Sequence, residues 1–182
     1  NNGWDWKGRN PEDDRSFATL SVSHLHGKTV SWQFVQGRDF DLSNASDSLG
    51  IVINESALQR MNLQEPIGEP VSWTWWSDKS RVLHYKILGV IKDMVMDSPY
   101  APAQPTIFYL KGHNGTPSWV NIKINPQVSV SEALPKIESV FNKVIPAVPF
   151  EYKFADEEYA AKFGKEERIA NLAFIFAGLA IF

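Results

Sequence analysis

The chain contains no cysteine in 182 residues. That excludes disulfides, thiolate metal sites and thiol nucleophiles together. Clustered cations are also lacking: 18 Lys and Arg face 21 Asp and Glu, the net charge is −3, and the basic residues stand singly. A phosphate backbone needs a basic patch, so nucleic acid is not an expected partner. "GKT" at Gly27–Thr29 has the ending of a phosphate-binding loop, but Val22 stands where that motif requires its first glycine. Neither His-Glu-x-x-His nor Gly-x-Ser-x-Gly occurs, which removes the zinc-peptidase and hydrolase nucleophile signatures. No enzyme activity, metal or cofactor is expected. No charged-then-apolar leader opens the sequence at Asn1, and the sequence reads as one segment of a longer polypeptide.

What is present is a globular balance, 43% hydrophobic and 21% charged. The length suits one domain or two small lobes. Residues 1–16 are polar and turn-rich apart from Trp4 and Trp6 and read as an irregular lead-in. Strands are expected at Phe17–Ser23, at Ser31–Gly37 with Trp32 and Phe34 on one face, and at Ile51–Asn54, a short apolar run of the kind buried on both faces. A short helix follows from Glu55, with Asn54 as its cap. "VSWTWW", a turn at "SDKS" and "RVLHYKILGVIKD" predict a hairpin with a bulge at Gly89. "TIFYL", "SWVNIKIN" and "PFEYKFA" predict further strands.

Leu134, Ile137, Phe141 and Val144 form the stripe of an amphipathic helix, capped by Ser129 or Ser131 and ended by Pro146. Pro135 fits best in a first turn capped by Ser131. Asp156 is placed as the cap of a last helix. The fold class is therefore α+β, with mixed or antiparallel sheets and two or three packed helices, in two small lobes.

The last stretch, Ile169–Phe182, has Asn171 as its one polar side chain, and Phe174, Ile175 and Phe176 point around the whole helix. A helix apolar on all sides belongs in a core or in lipid. At about 1.5 Å per residue it falls short of the ~30 Å hydrocarbon layer. It is read as the start of a transmembrane helix, with residues 1–168 forming an extracytoplasmic domain; burial in the domain's own core is the competing reading.

Certain landmarks occur in order along nearly the whole chain: "WDWKGRNP", "FVQGRDF", "SDS", "IVINESALQRMNLQEPIGEPV", "ILGVIKD" and the closing "DEEYAAKFGKEERIANLAFIFAGLAIF". This set resembles the MacB-type periplasmic core domain of FtsX-like ABC transporter permeases. The strand and helix that usually precede the tryptophan element are not matched here. The resemblance implies a non-catalytic extracytoplasmic domain of a permease subunit, at the periplasmic side of the inner membrane. It implies a separate cytoplasmic ATPase, a second permease subunit and a periplasmic partner protein. It also implies coupling of ATP hydrolysis to export or to mechanical signalling. The cargo is not specified by these landmarks.

Three clusters invite a chemical reading. His24 and His26 would share a strand face, but no third metal ligand accompanies them. Asp39, Asp41 and Asp47 lie in a loop without the spacing of a calcium site and read as solvated. Trp73 and Trp75 share one strand face and Trp76 takes the other. That leaves a face for a partner protein, a sugar or lipid headgroups, against packing between lobes. The alternative function is accordingly a soluble carbohydrate- or ligand-binding module using these tryptophans.

Overall fold

The computed structural model describes residues 3–75, 78–94, 101–110 and 119–161. The chain divides into two compact units, Asn1–Met94 with Ala103–Lys123, and Val95–Pro102 with Ile124–Phe182.

The first unit is a curled mixed sheet. In chain order its elements are β1 (Trp4–Trp6), β2 (Ala18–Val22), α1 (His26–Val30), β3 (Phe34–Gly37), β4 (Gly50–Asn54), α2 (Glu55–Met61), β5 (Pro70–Thr74), β6 (Val82–Ile91) and β7 (Thr106–Leu110). The strand order is β1-β5-β6-β4-β7-β2. β4 runs parallel to β6 and antiparallel to β7, while β7 runs parallel to β2. The long β6 serves two partners end to end on its other edge: β5 along Val82–Lys86 and β3 along Gly89–Ile91. The indole N–H of Trp4 donates to Thr19 Oγ1 at 3.2 Å, so the curl brings the first and last strands together.

β4 is buried along its entire length, as a strand flanked on both edges and covered on both faces must be. Ile51 and Ile53 enter one cluster with Trp4, Val71, Tyr85, Ile87 and Ile107, closed by Ala57 and Met61 of α2. Val52 enters the opposite cluster with Trp32, Phe40, Ile91 and Phe108. The pairing with β6 slips one residue, from Ile51↔Ile87 to Val52↔Gly89. This bulge re-phases β6: Ile87 and Val90 face the first cluster, and Leu88 and Ile91 the second. The bulge expected at Gly89 is present. A Cβ on Gly89 would lie 2.5 Å from the Arg38 carbonyl and 2.6 Å from the Phe34 ring.

The lead-in expectation is corrected. Trp4–Trp6 is a strand paired with β5, and Trp4 has no solvent exposure. Its short length and polar flanks hide it from a periodicity test that needs four or more alternating residues. The "HLHGKTV" stretch, unassigned from sequence, contains α1.

In the second unit, α3 (Val130–Val144) is capped by Ser129, whose Oγ accepts the Glu132 N–H at 3.2 Å. Pro135 therefore sits at the sixth helical position rather than in a first turn begun by Ser131. It is exposed there, so the Ser131 carbonyl that it leaves unpaired can be satisfied by water. Leu134, Ile137 and Phe141 are half-buried, but Val144 is exposed. Residues 155–161 are helical, with Asp156 inside the first turn rather than at the cap. "SWVNIKIN" and "PFEYKFA" form no sheet pairing among the described residues. Their alternation is strand-like, yet no described strand lies beside them to complete the hydrogen bonds. No described helix is long and apolar enough to cross a membrane, and Ile169–Phe182 lies outside the described residues.

Candidate functional site

The landmarks "FVQGRDF", "SDS" and "ILGVIKD" meet at the junction where β3 and β5 lie along β6. Gly37 pairs with Gly89 at a φ of 72°, and its α-carbon lies against the Leu88 carbonyl and the Ile67 side chain, leaving no room for a Cβ. Arg38 then turns away from the sheet and forks onto Asp47: Nη1 to Oδ2 at 2.5 Å and Nη2 to Oδ1 at 2.8 Å. The Asp41 amide donates to the same carboxylate at 2.8 Å. Asp47 is wholly buried, so the solvated-loop reading fails for it. Hydrogen bonding from Arg38 holds its pKa below the usual carboxylate range and raises that of Arg38. Asp41 instead bonds its own loop through Ser43. Thus "GRDF" and "SDS" form one bidentate lock.

A second set fixes α2. Asn54 Oδ1 accepts the N–H of Ala57 at 3.0 Å and that of Thr106 at 2.8 Å, while its amide nitrogen donates to the Gln104 carbonyl at 2.9 Å. One side chain thereby caps the helix and ties β4 to β7. Asp93, ending "ILGVIKD", accepts from the N–H and hydroxyl of Ser56 at 3.0 and 2.7 Å. At the other end of α2 the Trp6 indole donates to the Met61 carbonyl at 3.1 Å. Arg60 binds Asp13 and the carbonyls of Arg15 and Ser16, with its guanidinium 4.4 Å from the Phe17 ring centre. Asp13 is held well below the usual carboxylate range, first by Arg15 and further by Arg60.

The remaining candidates resolve differently. His26 begins α1 and packs edge-on to Trp32 at 5.4 Å; burial pushes its pKa down and pushes that of nearby Asp39 up. His24 lies in the preceding turn, not on a strand. Gly27 of "GKT" is buried against Asp39 and Trp32, so its glycine serves packing. No group of three His, Cys, Asp or Glu able to hold a metal occurs among the described residues. Asp5, Ser72 and His84 lie opposite one another across β1, β5 and β6 and border a shallow groove of about 280 Å³. A nucleophilic relay needs the histidine between serine and carboxylate, whereas here the serine is central.

The tryptophans form a graded stack. Trp73 lies almost parallel to Trp4, at 5.6 Å and 17°. Trp75 is 5.0 Å from Trp73, and the Arg81 guanidinium stands 5.0 Å over Trp75. Tyr109 reaches Trp73 at 6.0 Å. Trp73 and Trp75 are half-buried, and Trp76 lies outside the described residues. Packing within the first unit accounts for Trp73. Trp4, its main partner, could have been flagged only by pairing "WDW" with "VSW", a register that no local pattern reveals.

No protein-family model and no curated protein matches the sequence. Among solved structures, the periplasmic region of MacB from Actinobacillus actinomycetemcomitans is similar at a TM-score of 0.51 and 13% identity, over 69% of this chain and 56% of that one. A domain assigned to a permease protein of Porphyromonas gingivalis is similar at 0.51 and 16% identity, over 78% and 64%. The chain thus spans less than two thirds of either. With its curled mixed sheet and helices, the chain has the α+β fold of a MacB-type periplasmic domain.

Proposed function

We propose that this chain is a non-catalytic extracytoplasmic domain of an ABC transporter permease subunit. It couples ATP hydrolysis on a separate cytoplasmic ATPase to export or to mechanical signalling. Residues 1–168 form the domain at the periplasmic side of the inner membrane, and residues 169–182 begin a membrane helix. A second permease subunit and a periplasmic protein are its partners.

The observation that carries this reading is the shared fold with the MacB periplasmic region. The polar landmark residues support it further, because Arg38, Asp47, Asn54 and Asp93 have their hydrogen-bonding groups committed to other parts of the chain. Such a site holds a shape under load and leaves no poised acid or base. The glycan reading is weaker, since the Trp73 ring is covered by Trp4 and flanked by Trp75 and Tyr109.

The test is topology and company. With the native gene expressed in full, a periplasm-dependent reporter fused after Lys153 is expected to be active, and an ATPase is expected to co-purify with the membrane fraction. An inactive reporter, or a product found entirely in the soluble fraction without an ATPase, would overturn the reading.

A further inference from the structure

The chain crosses between its two units at Met94–Val95, Pro102–Ala103 and Lys123–Ile124. The first two crossings bracket one short excursion, Val95–Pro102. Both of its roots lie in the first unit, and both are held by one turn, Asn54–Ser56 at the start of α2. Just before the chain leaves, Asp93 accepts the N–H and the hydroxyl of Ser56 at 3.0 and 2.7 Å. The N–H of Asp93 itself donates to Glu55 Oε2 at 3.2 Å. Just after the chain returns, the Gln104 carbonyl accepts from Asn54 Nδ2 at 2.9 Å, and the Thr106 N–H donates to Asn54 Oδ1 at 2.8 Å. The Thr106 hydroxyl closes back on the same Gln104 carbonyl at 2.7 Å, and the Pro105 carbonyl accepts the Ala18 N–H at 2.9 Å. The third crossing is served elsewhere: Lys123 Nζ donates to Ser31 Oγ at the end of α1.

We propose that Asn54–Ser56 is a common anchor for both ends of the Val95–Pro102 excursion, and that a displacement of the second unit reaches the sheet through it. Capping α2 needs only the bond from the Ala57 N–H to Asn54 Oδ1. The other bonds of the turn reach residues 37 to 52 positions away along the chain. Asn54 also ends β4, which is buried along its whole length between β6 and β7. The turn is thereby backed by close-packed side chains that transmit strain instead of absorbing it. The two roots differ in setting. The Asn54 root is enclosed, whereas Asp93 and Glu55 face solvent, so the departing root is the one that opens first.

The use of such an anchor rests on the permease reading above. There the second unit precedes the membrane helix along the chain, and movement of that helix passes through it before meeting the sheet.

The absence of native cysteine allows spin labels on the full chain at Gln59→Cys in α2 and Glu138→Cys in α3, both exposed positions. On that background Asp93→Ala is expected to speed amide exchange at Ser56 about tenfold, as loss of a charged acceptor would. It is also expected to widen the distance distribution between the labels. Ser56→Ala, which removes the hydroxyl alone, should widen it less. Asp13→Ala takes a carboxylate from Arg60 at the other end of α2 and should leave the width as it was. Faster exchange at Ser56 without widening would reduce the turn to a helix cap, and equal widening by Asp13→Ala would reduce it to general loosening. Either result overturns the anchor, as does unchanged exchange at Ser56. Such a failure with the reporter active and the ATPase co-purifying removes the anchor alone. A failed topology test removes the permease reading and leaves the anchor, whose bonds lie within the first unit.

Discussion

At the scale of residues, Asp47 places a carboxylate where water does not reach, faced by the Arg38 guanidinium and the Asp41 amide. Breaking a fully buried pair by removing one partner costs about 3–5 kcal/mol. Arg38 is itself 47% exposed, so its screened contribution is smaller, and Arg38→Ala is expected to lower stability by about 2–3 kcal/mol in urea unfolding at pH 7. The Asp47 pKa is depressed in the fold, so its stabilisation is complete well above the unfolded value of 3.8 and is lost as pH falls through 3.8 and below. Asp47→Asn should flatten that acid limb of the stability–pH curve. A limb as steep as in the unmodified chain would remove the lock from the account. None of this was legible beforehand: Asp39, Asp41 and Asp47 look alike in sequence, and burial of one of them is set by a guanidinium nine positions away.

Among the elements, the legible parts were those whose signal is local. β4 announced itself as a continuous apolar run, and Asn54 as the cap before a helical pattern, because both features lie within a few consecutive residues. The cap proved to have a second task across the sheet at Thr106. Asn54→Ala therefore removes a cap worth about 1 kcal/mol and strands a buried N–H at about 1–3 kcal/mol more. The expected total is about 2–4 kcal/mol, read by calorimetry; a loss under 1 would mean the Thr106 bond contributes nothing. Glycines separate in the same way. Gly8, at a φ of 83° with no atom within 4 Å of a built Cβ, should tolerate alanine at about 1 kcal/mol of backbone strain. Gly37 has similar φ but no space, so Gly37→Ala should cost more than about 3 kcal/mol and disturb the β3–β6 pairing in amide exchange. Equal costs at the two positions would show that crowding at the junction is unimportant. "SWVNIKIN" and "PFEYKFA" mark the opposite limit: alternation reports a strand's preferred faces and says nothing of whether a neighbour is available.

For the molecule as a whole, the ordered landmarks pointed to the right fold because they specify how remote segments interlock, while their meaning as contacts needed coordinates. Topology also has a temporal consequence. β4 lies between β6 and β7, and β7 comes from Thr106–Leu110, the last described strand of the first unit to be made. Until then the Ile51–Ile53 edge has no neighbour on one side, and both hydrophobic layers stay open. A chain emerging residue by residue therefore carries an uncovered, aggregation-prone strand from Asn54 until Thr106 has been made. The yield of such a domain should be governed by how quickly residues 103–110 follow β6.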